Sequence, residues 1–119
     1  MNKNDVVALV RADQSPENIC GFRLKVKMEK LEEYVQAHQA VWPEMREALS
    51  KAGWTHYSLF LDPSAGDVFG YFEAEDVESA FSNMEADPVN TKWQETMAEY
   101  FVQPDGGVSD VMPQYFYLK

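Results

Sequence analysis

The chain has little of what catalytic and binding chemistries usually recruit first. Its 119 residues include one cysteine, Cys20, and two histidines, His38 and His56. A lone thiol forms no internal disulfide and no Cys-x-x-Cys metal site. Two imidazoles would need carboxylates from distant segments to complete a zinc site, so a metal is not expected. Basic residues are scarce, 10 against 20 acidic ones, for a net charge of −10. That field repels phosphate backbones and anionic lipid, which argues against nucleic acid or membrane as partner and is compatible with a neutral small molecule. Long apolar runs are missing too: nothing approaches the roughly 20 residues of a membrane span. Val6–Val10 is too short for the apolar part of a signal peptide, so the expected location is cytoplasmic. There are no internal repeats and no low-complexity tract. The length suits one domain with one core.

What is present is aromatic and helical in spacing. Tyr34, His38 and Trp42 stand four residues apart, followed by Pro43 and Glu44. On a helix this spacing lines side chains along one face, roughly 6 Å of rise apart. Pro43 fits a first helical turn and breaks an interior, so the chain is expected to bend between His38 and Trp42 and turn His38 toward a cleft. A stripe of this kind also arises from plain core packing.

Residues 1–19 read as an N-terminal extension with a short strand at Val6–Val10, and residues 20–119 as the domain. Phe22, Leu24, Val26 and Met28 alternate with Arg23, Lys25 and Lys27, the period of a half-buried strand. A helical region spans about Leu31 to Ala52, bent at Pro43, with Gly53 as terminator. Strands at Thr55–Leu61 and Val68–Ala74 form a hairpin around Asp62–Asp67. A short helix covers Val77–Met84. Asp87 and Pro88 cap and open another helix running to about Tyr100. Gln103–Pro113 reads as loop, and Tyr115–Leu118 as a terminal strand. The order β-α-β-β-α-β is the ferredoxin-like α+β plan, with helices on one side of an antiparallel sheet. Strands that are apolar on both faces predict a second copy packed sheet to sheet, a symmetric homodimer.

His38 has an ordinary pKa near 6.5, suited to giving and taking protons near neutrality; the competing reading is a core histidine bound to a carbonyl. His56, on a strand, reads as facing solvent or a partner. Tyr57 shares parity with Leu59 and Leu61, which aims its phenol at the helices. Trp93 and Gln94 offer an indole face and a carboxamide, the mixture carbohydrate sites use, although Trp93 also suits a core. Together these residues supply one titrating group, neutral hydrogen-bonders and aromatic walls. That set supports proton transfer on a small neutral molecule.

Tyr34-x-x-x-His38-x-x-x-Trp42-Pro43-Glu44, Ala52-Gly53, Tyr57, Leu61-Asp62, Lys92-Trp93 with Met97, and Phe116-Tyr117-Leu118 resemble the L-rhamnose mutarotases in order and spacing. The resemblance runs from about Phe22 to Leu118. It implies a dimeric α+β barrel of ferredoxin-like subunits acting on a monosaccharide without a cofactor. His38 is implied as the catalytic proton donor, Tyr34 and Tyr57 as sugar contacts, and Trp93 as a pocket wall; Trp42 and Gln94 complete the expected set. The family often carries a tryptophan pair where this chain has Trp93-Gln94. Ring opening would follow a proton delivered to the ring oxygen by an imidazolium His38, with water, Glu73 or another carboxylate as base. The alternatives are a non-catalytic sugar-binding module and a small monooxygenase or haem-handling protein on the same fold plan.

Overall fold

The computed structural model describes residues 18–102 and 110–118, together with Asn2 and Asp5. The strand expected at Val6–Val10 lies outside the described residues. Strand β1, Ile19–Lys25, carries the alternation through Phe22, which is buried. It ends before the alternation does, because Met28 opens a 3₁₀ turn, Met28–Lys30, and is half exposed. The expected bend at Pro43 is a full break into α1, Leu31–Gln39, and α2, Pro43–Ala52. Pro43 takes the first position of α2, where its missing N–H is no loss. Gly53 ends α2 with φ of +102°, a left-handed conformation that a Cβ disfavours.

Strands β2, Thr55–Asp62, and β3, Asp67–Glu73, form the hairpin. Helix α3, Val77–Glu85, is capped by the Asp76 carboxylate, which accepts from the Ser79 N–H. Helix α4, Pro88–Met97, is capped by Asp87, which accepts from Val89 N–H, and a 3₁₀ turn, Ala98–Tyr100, follows. The last strand, β4, is Asp110–Met112. The expected position, Tyr115–Leu118, is therefore wrong: residues 113–118 form no strand. A strand needs a neighbour, and the edge of β1 pairs with 110–112, where the residues looked like loop. Beyond Met112, Tyr115, Phe116 and Leu118 lie exposed.

The four described strands form one antiparallel sheet in the order β2-β3-β1-β4, the ferredoxin-like arrangement, with each helical segment split in two. Residue parity divides this sheet into two faces. Phe22, Leu59, Val68 and Phe72 face the helices, and core residues Tyr34, Met45, Met84, Trp93 and Met97 close over them. Ser58, Phe60, Phe69 and Tyr71 face away. Thr55 pairs with Glu73 and Ser58 with Tyr71, so β2 holds one extra residue there. His56 occupies this bulge with φ of +49°. The bulge restores Tyr57 to the inner face, where it meets Phe22, Trp54 and Phe72.

Candidate active site

His38 sits in the last turn of α1, just before the break. Its Nδ1 lies 2.9 Å from the Tyr34 carbonyl oxygen. A carbonyl can only accept, so Nδ1 carries the hydrogen and Nε2 is left as the exchangeable position. The ring packs on the Tyr34 ring at 4.3 Å between centroids and stands edge-on to Trp93 at 5.5 Å. Burial pushes the His38 pKa below its ordinary value of 6.5, partly opposed by the Tyr34 carbonyl. At neutral pH the imidazole is therefore mostly neutral, with a lone pair on Nε2.

Around this ring, the helices and the inner sheet face enclose an open cavity of about 1140 Å³. That is somewhat larger than most ligand pockets, about 300–1,000 Å³. Tyr34, His38, Tyr57, Trp93 and Gln94, all chosen from the sequence, line it together. The Tyr34 phenolic oxygen is buried and has no hydrogen-bond partner among the described residues. Desolvation pushes its pKa up to about 12, so it remains a donor. Burial also raises the Tyr57 phenol, with Tyr34 adding to the effect. The Tyr57 residue as a whole is still 38% exposed, because the cavity is open to solvent while the hydroxyl end is tucked among protein atoms. Trp42 is placed differently from its expected role. It does not line the cavity but stands edge-on behind Trp93, 5.0 Å between centroids, and fixes that indole.

Sequence reasoning missed several cavity residues. Trp54 stacks on Phe72 at 3.7 Å and donates from Nε1 to the Ala80 carbonyl at 3.0 Å. Its position directly after the Gly53 terminator was the available signal. Asn90, Glu85 and Glu95 also line the cavity. Glu73 does not: it lies on the outer sheet face, where Tyr71 donates to it at 3.0 Å and His56 stands 3.7 Å away. The sheet separates it from His38, which removes it as the general base. Among the described residues, no group of three or more His, Cys, Asp or Glu side chains is placed to hold a metal ion. No helix among them is long and apolar enough to cross a membrane.

The chain is similar in sequence and fold to known proteins. The family model for L-rhamnose mutarotase matches residues 19–118. An L-rhamnose mutarotase of Oceanobacillus iheyensis is 36% identical over 100 residues, covering 82% of this chain and 95% of the relative. That of Bacillus subtilis is 45% identical over 73 residues, covering 61% and 69%. The crystal structure of an L-rhamnose mutarotase from Formosa agariphila superposes with a TM-score of 0.74 at 24% identity, over 85% of this chain and 98% of the other. A monooxygenase from Streptomyces coelicolor superposes with a TM-score of 0.62 at 14% identity, covering 88% and 95%. At that identity the likeness concerns the fold alone.

Proposed function

This chain belongs to the L-rhamnose mutarotase family, and we propose that it interconverts the α and β anomers of L-rhamnose or a related 6-deoxy hexose. The observation that carries the reading is His38, held by the Tyr34 carbonyl so that Nε2 alone is left for exchange inside an aromatic cavity. In this mechanism neutral Nε2 takes the proton of the anomeric hydroxyl as the C1=O double bond forms and the C1–O5 bond breaks. The imidazolium so made returns that proton to O5, leaving the open-chain aldehyde and a neutral histidine. Both oxygens are bonded to C1, so one ring nitrogen can serve both. Rotation about C1–C2 and the reverse transfers close the other anomer. The role expected from the resemblance, proton donor to the ring oxygen, becomes the second half of a shuttle, and no separate carboxylate base is needed.

The Tyr34 phenol is suited to donate to a sugar oxygen, since its buried hydroxyl otherwise lacks a partner. Tyr57, Trp93 and Trp54 supply walls for the C–H faces of the pyranose. Acid–base assistance of about 10²–10⁴-fold suits a reaction that already proceeds in water. We place this domain at residues 20–119, with 1–19 as an extension. We further propose a homodimer joined through the outer sheet face, where Phe60 is 62% exposed opposite Phe69. The test is NMR saturation transfer between the two H1 signals of L-rhamnose, with L-fucose alongside. Acceleration above the buffer rate by purified protein is expected; exchange left at the buffer rate while the sugar still binds would make this a binding module.

A further inference from the structure

The hydrogen bonds along α4 have only one self-consistent direction. Asn90 Nδ2 donates to the Met84 carbonyl at the end of α3, at 3.0 Å. A carbonyl cannot donate, so Asn90 must present its NH₂ there and its oxygen elsewhere. One turn on, Gln94 Nε2 donates to that Asn90 Oδ1 at 3.2 Å. Gln94 is thereby committed as well: its nitrogen faces Asn90 and its Oε1 is turned from it. An isolated carboxamide can flip at little cost, but this one is tied through Asn90 to a backbone group. Both residues are half-buried, and both line the cavity that holds His38. Among the described residues, none donates to Gln94 Oε1.

We propose that Asn90 is a positioning residue that fixes the polarity of Gln94, whose Oε1 accepts a hydrogen bond from a hydroxyl of the bound sugar. The inference rests on the mutarotase reading and narrows its substrate class. The substrate is a pyranose with a free hydroxyl on the edge facing α4, and a sugar lacking that hydroxyl is discriminated against. The reason is desolvation: a fixed acceptor that loses water and gains no donor weakens binding. A hydroxyl that takes no part in the proton transfers meets this acceptor equally in ground and transition states, so the effect falls on binding.

The experiment is anomer-exchange kinetics on L-rhamnose and its 2-, 3- and 4-deoxy analogues, for wild type, Asn90→Ala, Gln94→Met and the double variant. In the wild type, KM for one deoxy analogue should rise about 3- to 10-fold over that for L-rhamnose, with kcat nearly unchanged. That penalty should vanish in both single variants, and the double variant should bind no worse than Gln94→Met alone. Should Asn90→Ala fail to fold, Asn90→Ser replaces it, its side chain being too short to bridge both partners. An active wild type with equal KM across the analogues overturns the inference and leaves the mutarotase reading standing. So does an Asn90→Ala loss that simply adds to that of Gln94→Met. A wild type that accelerates none of these sugars overturns both.

Discussion

The two faces of the sheet are built from the same strands and behave as different molecules. On the inner face, Phe22 and Leu59 floor a cavity that is also lined by a histidine, two tyrosines and two tryptophans, with Phe72 fully buried beside them. One residue along, on the outer face, Phe60, Phe69 and Tyr71 point away from the described helices that cover the inner face. A period of two sorts the residues: inward ones line the candidate site, outward ones form the apolar surface that the proposed homodimer would cover. Glu73 shows how sharp the division is. It neighbours buried Phe72 in sequence, yet the sheet lies between it and the imidazole.

Substitutions should respect that division, and the largest effect belongs to the inner face. His38→Ala should remove the histidine's share of anomer exchange, about 10²–10⁴-fold, while leaving the sedimentation coefficient unchanged. The outer face should give the opposite result. Phe60→Glu combined with Phe69→Glu should shift sedimentation from dimer to monomer, by placing like charges where the two sheets would meet. Gly70→Ala tests how tightly the inner face is packed beneath the cavity. A Cβ at Gly70 would run into the Phe22 ring, so a loss of about 1–3 kcal/mol in urea unfolding is expected, with a raised KM as Phe22 is pushed into the cavity. Asp87→Ala should cost only about 1 kcal/mol in the same assay. That carboxylate caps α4, which carries Asn90, Trp93 and Gln94.

Much of this was legible in the sequence where a strong local rule agreed with the tertiary outcome. Pro43 marked the break beside His38, Asp87 and Pro88 marked the start of α4, and strand parity sent Tyr57 inward. Other features depended on partners distant in the chain. The bulge at His56 follows from the register of β2 against β3, which no local pattern encodes. Met28 kept the alternation of β1 but fell in a turn. Residues 110–112 became a strand because β1 offered an edge there, while the more apolar Tyr115–Leu118 segment had none. Asn90 looked like an ordinary helix residue until the end of α3 supplied a carbonyl for it. Trp42 had the right spacing to line the cavity, yet the chain break placed it behind Trp93 instead.

The site's charge state also has a direction. With its pKa depressed in the fold, His38 binds a proton more readily in the unfolded chain. Stability from this group is therefore present above about pH 6.5 and lost as pH falls from there through the folded-state pKa. Thermal melts of wild type and His38→Gln should differ in this acidic window and run parallel above it.

The most direct test of the central claim, that neutral His38 starts the proton shuttle, is the pH dependence of kcat/KM for L-rhamnose anomer exchange. A rate that rises with pH to a plateau at neutrality, with its midpoint below about 6.5, is the predicted result. A rate that instead falls as pH rises through the same range would mean that the imidazolium acts first, and would contradict it.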